Sequence, residues 1–191
     1  MAAAKIGVGY VLSVSVAENT FMGGAMATDM YGLPLEFRYT EPVRATKLQR
    51  VLYGDVLEKY IHCDVIAANL IGRLEQKPDF FVVSDPTLLD TLEAAGKKAA
   101  MLLPTRVPPL KEFGAQQEVF QGEFLLQLSD SGSPTRVRLA SRSGKGTEGA
   151  QGEIARLLIE IGRTMDPVEP LARVETAVRL LWEEAPETSA P

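Results

Sequence analysis

Apolar and polar positions alternate strictly along the first stretch of the chain. Between residues 6 and 17, Val8, Tyr10, Leu12, Val14 and Val16 fall on one set of positions, and Gly7, Gly9, Val11, Ser13 and Ser15 on the other. A period of two predicts a half-buried strand. Glu18, Asn19 and Thr20 read as a turn, and residues 21–28 as a second strand with Gly23 and Gly24 inside it. Paired glycines in a strand predict a bulge or the close approach of another backbone. A turn from Asp29 to Gly32 leads into a third strand, residues 33–40. There Leu33, Leu35, Phe37 and Tyr39 share one face, and Pro34, Glu36, Arg38 and Thr40 the other. Pro34 has no N–H to give a ladder, which predicts an edge position.

After Pro42 the period becomes helical. Residues 45–53 predict a short helix closed by Gly54, and Asp55 with Glu58 forms a D-x-x-E box that starts a second helix over 56–74. Its apolar stripe of Val56, Leu57, Tyr60, Ile61, Val65, Ile66, Leu70, Ile71 and Leu74 is wide enough to pack on two sides. Phe80, Phe81, Val82 and Val83 form a continuous apolar run, the mark of a strand covered on both faces. Ser84 and Asp85 offer an N-cap and Pro86 a first helical residue. A helix over 86–95 and a returning strand over 98–103 complete a β-α-β unit. Residues 118–129 and 135–141 then read as a hairpin around a turn cluster at 130–134. Residues 141–152, with four glycines, read as a mobile connector, 153–165 and 167–184 as two helices, and 185–191 as a disordered tail. The expected fold class is mixed α/β (α+β): an N-terminal antiparallel β-meander, a long central helix, one β-α-β unit, a β-hairpin and two C-terminal helices. One domain over 1–184 should share one core, and any subdivision would fall between 1–76 and 77–184.

Composition removes whole classes. The 191 residues are 46% hydrophobic and 24% charged, which fits a folded domain and excludes a disordered chain, a collagen-like fibre and a disulfide scaffold. Cys63 stands alone, so no internal disulfide can form, and a reducing, cytoplasmic setting is expected. Lys5 and the apolar residues after it could pass for a secretory signal, but the two-residue alternation favours a strand. No stretch approaches the ~20 apolar residues of a membrane helix, so no membrane partner is expected. The net charge of −5 argues against a chain dominated by phosphate contacts.

The candidate chemistry is sparse. Ser84 and Asp85 lie where a buried strand meets a helix start, a place that suits anions as well as a plain cap. Gly144, Gly146 and Gly149 spell G-x-G-x-x-G with Lys145 inside, but no strand follows to make a dinucleotide unit. Together Ser84, Asp85, Gly144, Lys145 and Gly146 form the candidate ligand site. Arg136, Arg138, Arg142 and Lys145 make one basic run, and Arg44, Lys47 and Arg50 line one side of the short helix. Neither has interleaved aromatics to stack bases, so a solvated face is expected and nucleic acid is not the expected partner. His62 and Cys63 are helical neighbours that diverge, His62 falling with Glu58 and Asn69 on a polar surface and Cys63 packing inward. Asp79, Asp85 and Asp90 cannot be made to converge from sequence. No catalytic set, metal site or cofactor is therefore expected.

The block from Phe21-Met22-Gly23-Gly24 through Tyr31-Gly32-Leu33-Pro34-Leu35-Glu36-Phe37-Arg38-Tyr39-Thr40-Glu41-Pro42-Val43-Arg44 to Val51-Leu52-Tyr53-Gly54 resembles a bacterial protein family. In it an L-E-F strand ending T-x-P-V-R leads to a helix ending L-Y-G. The resemblance spans about residues 6–75, carries no chemistry, and implies a bacterial, soluble origin. Within the block, Glu36, Arg38, Glu41 and Arg44 could lock the strand-to-helix corner, or with Lys47 and Arg50 form a partner-binding rim. The resulting expectation is a non-enzymatic accessory or protein-interaction module that meets another protein or itself. The alternative is a small-ligand or nucleotide-binding domain, enzymatic or not, using Ser84, Asp85 and the glycine loop.

Overall fold

The computed structural model describes residues 6–140 and 147–185. They form a nine-stranded mixed sheet with helices on both faces. β1 (Val8–Ala17), β2 (Thr20–Thr28) and β3 (Pro34–Tyr39) are the expected antiparallel meander. Pro34 opens β3, which lies at the sheet edge, as its missing N–H requires. The two-residue β4 (Val43–Arg44) pairs with the start of β2. β5 (Phe80–Val83), α4 (Pro86–Ala94) and β6 (Ala99–Leu103) are the expected β-α-β unit, with β5 parallel to both β1 and β6. β9 (Thr135–Arg138), β8 (Glu123–Leu126) and β7 (Gln116–Phe120) extend the sheet antiparallel beyond β6.

The central helix begins with α1 (Lys47–Tyr53), capped by Thr46 and Gln49 in a reciprocal capping box. Gly54, at φ 55°, turns the chain into a 3-10 turn, Gly54–Val56. α2 (Leu57–Tyr60), a π-helical stretch Ile61–Ala67 and α3 (Ala68–Arg73) then run on as one rod. The box expected at Asp55 is not used, because the turn there lets the backbone continue without a side-chain cap. α5 (Thr147–Gly162) and α6 (Glu169–Glu184) close the fold.

Three expectations are corrected. β1 is central, so both of its faces are covered and the core is double. Tyr10, Leu12, Phe80, Leu158 and Val178 pack beneath α5 and α6, while Val11, Ile66, Phe81 and Leu92 pack beneath α4 and the rod of α2 and α3. The strand expected over 118–129 breaks at Gly122, whose φ of 78° turns β7 back on β8. The connector expected over 141–152 ends early, since Gly149 and Gly152 belong to α5. Residues 141–146, including Gly144, Lys145 and Gly146, lie outside the described residues, as does 186–191 of the expected tail.

Gly23 and Gly24 are the close approach that their pairing suggested. A Cβ on Gly23 would stand 2.2 Å from Ile66 Cγ2 of the π-helical stretch, and one on Gly24 would stand 2.7 Å from Val178 Cγ2 of α6. Successive glycines thus seat a helix on each face of β2. No helix among the described residues is long and apolar enough to cross a membrane.

Candidate functional site

β1 and β5 run parallel with Val8 opposite Phe80 and Val11 opposite Val83. Continuing that register brings Ser13, midway along β1, level with Asp85, just past the carboxyl end of β5, the end of a parallel strand where open α/β sheets bind ligands. The rod crosses this point. The π-helical step, in which the Ala68 N–H donates to Cys63 O, turns His62 toward the sheet. His62 Nδ1 lies 2.7 Å from Ser13 Oγ, and the edge of its ring meets Phe21 at 5.1 Å. His62 is half-buried, not the surface residue that regular helical spacing implied. Cys63 is buried, as expected, with its thiol 3.7 Å from Thr87 O.

Asp85 caps α4: its Oδ1 accepts the Thr87 N–H at 2.7 Å and the Thr87 hydroxyl at 2.5 Å. The capping role and the crevice position therefore coincide. Ser84 is half-buried beside it. Gly144, Lys145 and Gly146, the other part of the candidate ligand site, lie outside the described residues. On either side of them, β9 pairs Arg138 with Met101, and Glu153 of α5 meets Lys98 before β6.

The expected partner rim divides. Glu36 accepts from Arg38 Nε at 2.7 Å and from the backbone N–H groups of Glu75 and Gln76, and Arg38 also reaches Glu75 at 2.9 Å. These two residues fasten β3 to the end of α3, so the lock engages 75–76 and not the Arg44 corner. Arg44, Lys47 and Arg50 stay exposed. Arg136 and Arg138 both hold the buried Glu123, at 3.2 and 2.7 Å, which accounts for that basic pair as sheet structure.

Alternation and helical spacing gave no warning of the exposed face of α1. Leu48, Val51 and Leu52 are 67, 81 and 70% exposed, and Val56 lies bare beside them. Tyr53 and Tyr60 stack on each other at 5.2 Å, both exposed, and Arg50 reaches Glu58 of α2 at 3.7 Å. Folding thus supplies a stacked aromatic pair beside these cations in the chain, Tyr53 from α1 and Tyr60 from α2.

Burial pushes the His62 imidazole below its ordinary value, although the carboxylates of Asp85 and Glu58 pull the other way. Burial would raise Glu36, but hydrogen bonds from Gln76, Arg38 and Glu75 outweigh it and hold its carboxyl low. Both depressed groups favour the deprotonated folded state, so their stabilisation is present above the unfolded values and lost on acidification. The melting temperature should fall from neutral pH downward, first through His62 below about pH 6.5 and then through Glu36 below about pH 4.5. In His62→Gln the first part of that decline should flatten, as measured by thermal melts across pH.

Among the described residues no three His, Cys, Asp or Glu side chains come together to hold a metal ion. No protein-family model matches the chain, and no curated protein matches it. Solved structures do. Human ENDOV superposes with a TM-score of 0.64 at 14% identity, over 95% of this chain and 86% of that one. Endonuclease V from Streptomyces avermitilis gives 0.61 at 14%, over 95% and 83%. Endonuclease V from Ciona intestinalis, solved with a DNA containing an inosine followed by a ribo-adenosine, gives 0.57 at 10%, over 95% and 88%. The chain has the fold of these proteins. That likeness corrects two expectations, the non-enzymatic protein-interaction module and the dismissal of nucleic acid, because the fold is shared with nucleases and, in one, carries DNA.

Proposed function

We propose that the chain binds a nucleic acid strand across α1 and α2 and into the crevice at Ser13, His62 and Asp85. The observation that carries this reading is the continuity of the surface. α1 and the rod between them present the stacked pair Tyr53 and Tyr60, the cations Arg44, Lys47 and Arg50 precede or line α1, and two residues past Tyr60 the rod brings His62 to Ser13 within β1. Exposed aromatic faces stack unpaired bases whatever their sequence, and adjacent cations track the phosphates. The shared endonuclease V fold supports the same class of partner.

The net charge of −5 limits the electrostatic share. Three cations facing a single strand predict that log K falls with log salt at a slope of about −2, since each phosphate contact contributes roughly 0.7. Fluorescence anisotropy with a labelled single-stranded oligonucleotide over a salt series measures this. A slope near zero would remove Arg44, Lys47 and Arg50 from the interface, and an absence of saturable binding at low salt would remove the reading. A cytoplasmic setting accords with it, supported by the single unpaired Cys63 and testable by cell fractionation.

A further inference from the structure

Nucleases that cleave through metal ions gather carboxylates around a divalent cation, which clamps the attacking and leaving oxygens. The crevice of this chain presents a different donor set. β1 contributes a neutral hydroxyl, Ser13, and the rod contributes an imidazole whose Nδ1 already faces that hydroxyl at 2.7 Å. Asp85 is the carboxylate at the strand ends, and its Oδ1 is taken by the N–H and O–H of Thr87. Glu58 stands 3.7 Å from the Arg50 guanidinium. Magnesium wants near-octahedral oxygen coordination with carboxylate support, and zinc wants three protein ligands; these residues offer neither.

We propose that Ser13 and His62 form a phosphodiester contact that needs no divalent cation, with Ser13 fixing the ring and His62 Nε2 left as the donor to a phosphate oxygen. The inference rests on the nucleic-acid reading of the preceding section and assigns the contact at its inner end. Ser13 occupies Nδ1, so Nε2 is the ring's remaining polar atom, and the half-buried ring keeps part of itself accessible. The groups facing the ring are the Ser13 hydroxyl from β1, the Phe21 edge from β2, Glu58 from α2 and Asp85 ahead of α4. Both carboxylates favour the imidazolium, and a phosphate beside Nε2 would add a third negative group to that side. The ring is then neutral in the free protein at neutral pH and takes its proton with the ligand, so binding should tighten on acidification.

The test is anisotropy of a labelled single-stranded oligonucleotide at matched ionic strength, with EDTA or with magnesium, from about pH 8 to about pH 5.5 across the imidazole range. Wild-type protein should bind within roughly twofold in EDTA and in magnesium, and should tighten about fivefold or more toward low pH. His62→Gln should bind more weakly at low pH and lose most of the pH trend. Ser13→Ala, which frees the ring without removing it, should weaken binding less and keep the trend. A loss of roughly tenfold or more in EDTA would overturn the proposal, as would a His62→Gln curve that follows the wild type. Absence of binding in every condition would instead sink the nucleic-acid reading, and the contact with it. Thermal melts check that both variants fold; if His62→Gln does not, Ser13→Ala and the EDTA comparison decide.

Discussion

Gly23→Ala is expected to lower the unfolding free energy by about 2 kcal/mol, within the range for overpacked cores. For a chain of this size that is a fall of roughly 4–8 °C in melting temperature. A new Cβ would meet Ile66 Cγ2 at 2.2 Å and the Leu12 carbonyl oxygen at 2.9 Å, so neither a rotamer change nor a small tilt removes the overlap. The rod must lift from β2. His62 lies one turn before Ile66 on that rod and is held to Ser13 at 2.7 Å, so the same lift should pull it from the crevice and weaken binding. Gly24→Ala separates the two effects. Its Cβ would meet Val178 of α6 on the opposite face, at 2.7 Å, so stability should drop while binding holds. Ile66→Ala makes room opposite Gly23, and alone should cost about 3 kcal/mol as a fully buried isoleucine. The double variant Gly23→Ala/Ile66→Ala should then cost less than the sum by about 1 kcal/mol or more, because the two groups touch. Additive costs would mean that Ile66 does not set the helix-to-sheet distance.

The second large effect concerns affinity. Tyr53→Ala/Tyr60→Ala should weaken binding of a single-stranded oligonucleotide by roughly 10- to 100-fold, since stacking is worth about 1–3 kcal/mol per base. Both rings are exposed and stack mainly on each other, so the melting temperature should change little. Tyr→Phe at both positions keeps the ring faces and should restore most of the affinity. Unchanged affinity in the alanine variant would show that the strand does not cross this surface.

Local patterns made much of this fold readable. The meander followed from alternation, the edge strand from Pro34, and the β-α-β unit from the apolar run at Phe80 with the Asp85 cap and Pro86. The pairing of Gly23 and Gly24 even signalled that something would come close to β2. Features that depend on distant partners were hidden. The parallel pairing of β1 with β5 joins residues about seventy positions apart, and only that pairing places Ser13 level with Asp85. His62 was misread because regular helical spacing turns it to the polar side, whereas the π-helical step turns it inward. Tyr53 and Tyr60 were missed as a platform because Tyr60 counts as part of an apolar stripe until the 3-10 turn at Gly54 sets α1 beside α2. The basic run at Arg136 and Arg138 invited a functional reading until Glu123, on the neighbouring strand, paired with both. For Ser13, His62 and the pair Arg136 and Arg138 the chemistry was set by contacts across the sheet, and for Tyr53 and Tyr60 by a local turn that departs from regular helical spacing.

Backbone amide NMR of the full chain, titrated with a short single-stranded oligonucleotide at low salt, locates the bound strand on the surface. Shifts should concentrate on Lys47 to Tyr60, on His62 and Ser13, and on Asp85 to Thr87, growing together toward one saturation point. Shifts gathered instead around Arg136 and Arg138, or an unchanged spectrum at saturating oligonucleotide, would contradict that placement.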